Sequence, residues 1–523
     1  MMRFPPQSRR VLVIAGLVLS MYAIGRAQES VSEPQPNAVV QETQAPSSAE
    51  SLGSDKSGVS RRQSIQPFVP FGRLSIPPAV PPADEEGPLP GVMAAVSGED
   101  NGQGESLIEN MPDEAWTDEL SDNVEMMVNL NDGSDNIIRL GGWIDAGATW
   151  NPDSPANRFN TPVLFNDRSN EFQLNQLNLY LDAPVNVDGT TLELGGRIDV
   201  LYGTDFRFLT VPGFEEHLDG TRRLNSEDHR FYGVAFPQWY VELSLPVLDG
   251  ASIKAGHFYS IFGFDRVEAP RNFFYSRTYA FTYGQPFTHS GMLSQWNINP
   301  SWTVFSGLTT GWDNLRHPRD DIGYLGGINW TSEDDWTQIR LAFHYGNDLN
   351  GVTVAGQPES EQRFNYSLAL SHQLTDCLTW GVQHDFGVQE DGLMLVDRNM
   401  GVIGFDPAHW YGASTSLICE VNEGLAAGIR FEWFTDSDLS RTLAPVQFTP
   451  GGHVVTGNDY YALTASVRWR VTDQITIRPE ARWDWSDIRG NPEAPGGDAA
   501  FRIFDDRTAG SQVLLSTDVI IEF

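Results

Sequence analysis

The chain has 523 residues, 40% hydrophobic and 20% charged, with 69 acidic side chains against 34 basic ones and a net charge of −35. That balance makes nucleic acid a poor partner, because phosphate binding needs the opposite sign. Past the N-terminus no stretch offers about 18 consecutive apolar residues, which excludes a helical membrane domain but not a β-barrel, where only alternate residues face lipid.

The first segment reads as a secretory signal. Arg3, Arg9 and Arg10 precede an apolar run over 11–24, and Gly25-Arg26-Ala27 supplies a small-x-small site, so cleavage is expected after Ala27. An uncleaved anchor is the alternative, but the run is about fourteen residues, short for a span. Losing the four arginines of this segment takes the charge from −35 to −39. Acidic external loops fit cation steering or bridging by divalent ions, and also plain colloidal repulsion.

Residues 28–132 are rich in Pro, Ser, Gln and Glu, as in Ile76-Pro77-Pro78-Ala79-Val80-Pro81-Pro82. They read as a disordered, partly polyproline periplasmic linker, with a short helix near 113–127. From 133 to 523 the pattern predicts an all-β fold, a transmembrane antiparallel up-and-down β-barrel of about sixteen strands. Period-two segments fall at 137–150, 170–183, 190–203, 236–246, 251–262, 288–298, 301–312, 321–331, 336–347, 363–373, 378–389, 407–419, 425–436, 457–470, 475–487 and 510–523. In 172–182 the phase slips between Leu174 and Leu177, which predicts a bulge.

Connections alternate between short turns and long loops, the long ones at 151–169, 204–235, 263–287, 313–320, 348–362, 390–406, 437–456 and 488–509. Periplasmic turns opposite external loops produce that asymmetry, and a β-sandwich does not. The last strand puts Val513, Leu515, Thr517, Val519, Ile521 and Phe523 on one face, and the terminal Phe523 reads as an assembly signal for the outer-membrane assembly machinery. Trp143, Trp150, Trp239, Trp302, Trp312, Trp330, Trp336 and Trp410 sit near strand ends, as interfacial girdles against the outer-membrane lipid would.

Sixteen strands leave an aqueous lumen unless a loop narrows it. Residues 263–287 carry eight aromatics in 25 residues, among them Phe273, Phe274 and Tyr275. Such a loop is expected to fold inward, leaving Asp265, Arg266, Glu268, Arg271 and Arg277 to line a constriction; packing over other loops or onto another subunit is the alternative. Arg430, Arg468, Arg470, Arg478 and Arg482, inward on consecutive strands, would form a basic wall facing it, or pair with lumen carboxylates such as Glu432, Glu480 and Asp484.

At this loop the chain resembles the β-barrel porin-2 (OmpL-like) family, frequent in planctomycete-type bacteria. The resemblance rests on Gly256-His257-Phe258-Tyr259, Ala269-Pro270-Arg271-Asn272-Phe273-Phe274-Tyr275-Ser276 and Tyr283-Gly284-Gln285-Pro286-Phe287-Thr288-His289-Ser290-Gly291. Gly141-Gly142-Trp143-Ile144-Asp145-Ala146-Gly147 and Asn175-Gln176-Leu177 also fit. It covers about 138–523 and implies an outer-membrane porin, with no catalytic residues to carry over.

Cys377 and Cys419 fall at the same end of neighbouring strands, where a disulfide is sterically conceivable. Asp385-Phe386-Gly387 matches a kinase triplet but lies in an amphipathic strand without the partner motifs. No catalytic site, metal-ligand spacing or cofactor motif is found. His257 and His289 read as polar packing. The expected function is passive diffusion of small hydrophilic solutes or ions, in a homotrimer by analogy with barrels of this size. A secreted soluble β-rich glycan-binding protein or glycosidase is the alternative.

Overall fold

The computed structural model describes Val128–Asn129 and residues 137–523, except 219–220, 227–230, 317–320, 355–356, 398–400, 439, 443–446, 450–451, 455–457, 489–501 and 507. The expected signal, linker and short helix lie outside the described residues, apart from the pair Val128–Asn129, which adds to the first strand.

Sixteen strands form the wall: β1 (Ile137–Trp150), β2 (Glu171–Ala183), β3 (Leu194–Gly203), β4 (Trp239–Leu245), β5 (Ala251–Tyr259), β6 (Thr288–Asn299), β7 (Trp302–Trp312) and β8 (Gly323–Thr331). They continue as β9 (Thr337–Val354), β10 (Gln357–Gln373), β11 (Leu378–Asp397), β12 (Gly401–Asn422), β13 (Leu425–Asp436), β14 (Asn458–Thr472), β15 (Ile475–Ile488) and β16 (Ser511–Glu522). Each pairs antiparallel with its neighbour in sequence, and Gly233–Ala235 extends the pairing of β3 above β4.

The ring closes where β16 pairs with β1, from Trp143 opposite Glu522 to Trp150 opposite Leu515. Phe523 completes this seam: its amide donates to the Gly142 carbonyl at 2.9 Å and its carbonyl accepts from the Gly142 amide at 2.7 Å. Closure removes the unpaired edge that a membrane would not tolerate.

Burial follows the period of two. In β16, Val513, Leu515 and Ile521 are exposed outward while Gln512, Ser516 and Asp518 are buried inward. The same alternation runs through β14 and β15, with Leu463, Trp469 and Trp483 outside and Thr464, Arg478 and Arg482 inside. The bulge in β2 lies where expected: pairing jumps from Asp145–Gln176 to Ala146–Leu174, so Asn175 and Gln176 both turn inward.

Two expected loops are strand instead. Residues 348–362 and 390–406 largely extend β9–β12, which run 18, 17, 20 and 22 residues. A spanning strand needs only about 9–11 residues, so these hairpins continue past the bilayer, where no lipid face imposes apolar alternation.

The tryptophans divide. Trp150, Trp302 and Trp336 are exposed outward, as a girdle requires, but Trp143, Trp312 and Trp410 are buried inside the barrel. Trp239 stacks on His257 with ring centroids 6.0 Å apart. Gly387 makes room for Trp410: a β-carbon there would lie 2.0 Å from the indole ring.

Candidate functional site in the barrel lumen

The loop between β5 and β6 runs across the lumen, and polar side chains on four strands fix it there. The Phe264 amide donates to Gln383 of β11 at 2.7 Å. On the opposite wall the bulge residue Gln176 donates to the Val267 carbonyl at 2.8 Å and accepts from the Ala269 amide at 3.1 Å. The amides of Tyr275 and Ser276 donate to Glu480 of β15 at 3.0 and 3.2 Å. That of Tyr279 donates to Glu432 of β13 at 2.6 Å, while the Tyr279 hydroxyl donates to Asp484 at 2.7 Å. Gln285 reaches Asp385 of β11 at 2.6 Å. A loop this rich in backbone amides could not be buried without such acceptors.

The rings fill the space beyond. Tyr279, Ala280 and Tyr283 pack with Trp312, Trp410, Phe434, Tyr460, Phe504 and Leu514, while Phe281 and Phe287 pack with Phe165, Phe206 and Leu209. Phe165 belongs to the first long loop and Phe206 to the second, so three loops share one apolar core inside the wall. Arg207 joins the first two loops by donating twice to Asp167, at 2.9 and 3.0 Å.

Burial shifts two acids at this end. It raises Asp205 to about 6, although Gln176 and Asn175 donate to it. Asp313 rises to about 7 for the same reason, although it accepts from the amides of Phe287 and Thr288 at 2.9 and 2.7 Å.

The expected loop residues part company. Asp265, Arg266, Arg271, Phe273 and Phe274 line a cavity of about 140 Å³ on the short-turn side of the loop, together with residues of β9–β13. Glu268 is buried beside Arg271, 3.7 Å away. Tyr275 and Arg277 are buried in the loop itself. Arg277 donates to the carbonyls of Arg266 at 2.9 Å and Tyr275 at 2.8 Å.

The five arginines of β13–β15 do not present one wall. Arg478 is fully buried, paired with Asp518 and donating to the carbonyls of Ala269 and Asn272 at 3.0 and 2.5 Å. Arg482 lies 2.9 Å from Glu432 and 2.7 Å from Asp484. Arg430 donates to the Ser276 carbonyl at 3.0 Å. Arg468 pairs with Glu420 at 2.8 Å, and Arg470 is exposed near the short-turn end. Arg468, Arg478 and Arg482 are thus paired with carboxylates, while Arg430 stands 3.7 Å from Asp265 and from Glu432.

Asp385, Gln285 and Gln383 escaped sequence reasoning as loop anchors. The one available signal was Asn175-Gln176, two polar residues in succession inside a strand. Both cysteines are free thiols, Cys377 in the β10–β11 turn and Cys419 opposite Leu378. His257 contacts Ser290 at 2.8 Å, and among the described residues no three His, Cys, Asp or Glu side chains gather as a metal site.

No curated protein matches the sequence. Among solved structures it is similar to the outer membrane channel DcaP of Acinetobacter baumannii (10% identity, 75% of this chain and 99% of that one, TM-score 0.45). It is also similar to OmpT of Vibrio cholerae (8% identity, 76% and 100%, TM-score 0.43) and OmpF of Salmonella typhi (10% identity, 76% and 100%, TM-score 0.45). The family model described as "Putative beta-barrel porin-2, OmpL-like" matches residues 137–523. The match takes in the closed wall and the loop across its lumen, and the chain belongs to this family of outer-membrane porins.

Proposed function

We propose that small hydrophilic solutes and ions diffuse through this porin along an aqueous path narrowed by residues 263–287. The carrying observation is the loop's attachment to β2, β11, β13 and β15, which sets its backbone across the lumen. A loop held by charged acceptors from several strands is a fixed obstacle, and the space it leaves decides what passes. The polar cavity on its short-turn side is the room that remains there.

Single-channel conductance in planar bilayers tests this reading. Replacing 266–284 by a short Gly-Ser linker should raise conductance several-fold; an unchanged conductance rejects the constriction. The same reading takes the assembly to be a homotrimer, which the mobility of unheated, cross-linked protein in detergent gels checks.

A further inference from the structure

The cavity beneath the loop has an uneven charge. Four guanidinium groups line it, Arg266 and Arg271 from the loop, Arg340 from β9 and Arg430 from β13, and Arg271 has Glu268 3.7 Å away. Its one carboxylate, Asp265, is already engaged, accepting from the Thr278 amide at 2.7 Å and hydroxyl at 2.8 Å and lying 3.7 Å from Arg430.

Register leaves Arg340 without an acid. Its cross-strand neighbours are Asn329 and Ala369, and its hydrogen bond goes to Gln338 at 3.3 Å. Arg266 donates to the carbonyls of Phe262 and Gly263, each at 2.9 Å. Among the described residues no carboxylate stands within ion-pair distance of either guanidinium. Arg430 adds a second observation: its side chain is 4% exposed, Asp265 and Glu432 each stand 3.7 Å from it, and its Nε and Nη1 still have no hydrogen-bond partner. A buried guanidinium with unused donors favours an acceptor that carries negative charge.

The rest of the lining sets what accompanies that charge. Phe264, Phe273 and Phe274 make one side apolar, with Phe274 stacked 4.5 Å beneath Arg430. A dry cavity of about 150 Å³ holds a benzene ring, and this one is about 140 Å³.

We propose that the cavity is a solute subsite for small organic carboxylates bearing one ring or a short acyl chain. The carboxylate accepts from Arg266, Arg340 and Arg430, and the apolar body lies against the phenylalanines. This inference rests on the diffusion-pore reading above, and names the solute class that the narrowed path favours.

Benzoate and the neutral benzyl alcohol, which has the same ring without the carboxylate, are the probes, applied to the full-length protein. Isothermal titration in detergent should show saturable benzoate binding and none for benzyl alcohol. Benzoate added from the turn side should also block chloride current in bilayers. In Arg340→Gln, which loses one hydrogen bond to Gln338 and keeps the wall, the half-blocking and half-binding concentrations should rise about tenfold.

Equal affinity for the two probes in the wild-type protein overturns the subsite whether or not the variant folds. So does benzoate binding that Arg340→Gln leaves unchanged. Chloride blocking benzoate binding at equal concentration would mean a plain anion site with no role for the rings, and would also overturn it. Benzoate binding without any channel current rejects the pore and leaves the subsite standing.

Discussion

The loop across the lumen meets two unlike walls. Toward β15 and β16 the inward arginines are neutralised: Arg478 lies opposite Asp518 in register, and Arg482 has Asp484 two residues along its own strand and Glu432 2.9 Å away. Toward β9–β12 the inward positions facing the loop are Gln338, Ser371, Thr379, Gln383 and Ser416, and Arg340 has Asn329 and Ala369 as neighbours. The first wall clamps the loop through paired charges, while the second, where Gln383 and Asp385 also hold the loop, leaves a cavity. An inward arginine says little about a pore until its cross-strand partner is known.

The clamped side can be broken most completely at its seam. Deleting Phe523 removes the last two hydrogen bonds between β16 and β1, and with them the outward ring expected to serve as the assembly signal. Folded protein recovered in the outer membrane should fall to a small fraction of wild type, read as the heat-modifiable band on gels. Normal yield of the truncated chain would refute the role assigned to this residue.

Arg478→Ala comes next. It leaves Asp518 buried without its partner and strips the donor from three loop carbonyls, those of Ala269, Asn272 and Phe274, a loss of about 3–5 kcal/mol for a broken buried pair. Urea unfolding in detergent should register it. The double variant Arg478→Leu with Asp518→Leu should recover part of that loss, because no lone charge then remains.

Glu480→Gln is milder. It keeps an acceptor for the amides of Tyr275 and Ser276 but removes the charge, which weakens each bond. A loss of about 1–3 kcal/mol from a buried group should leave the barrel folded and make the loop less steady, seen as noisier open-channel current. Current noise equal to wild type would mean that Glu432 and Asp484 hold the loop without it.

The barrel was legible because lipid imposes a rule on every strand that crosses it. Leu463, Ala465, Val467 and Trp469 alternate with polar residues, and the seam strand does the same. That rule ends at the membrane surface. Asp391-Gly392 and Pro358 resemble loop residues in sequence, yet backbone pairing carries β9–β12 past them. The crossing loop was legible from its aromatics, but its acceptors were not. Glu480 and Asp385 lie 204 and 100 residues from the loop groups they hold, and only register brings them together. Trp143 and Trp410 showed the same limit, since an aromatic near a strand end serves a girdle or an inner core according to parity alone.

The last expected effect lies where the loop rejoins the wall. Asp313 Oδ1 accepts from Phe287, Thr288 and the Thr288 hydroxyl, while Oδ2 is buried without a hydrogen-bond partner. Burial raises this carboxyl to about 7, against about 3.9 for an unfolded aspartate. Between those values the folded chain holds a proton that the unfolded chain has released. Stability should therefore fall as pH rises from about 4 to 7 and level off above. Asp313→Asn, which keeps Oδ1 as acceptor and cannot ionise, should remove its share of that slope without changing the fold, the raised Asp205 contributing the rest. Urea midpoints at pH 5 and 8 distinguish the two chains; if the asparagine variant keeps the full wild-type slope, the titrating group lies elsewhere in the lumen.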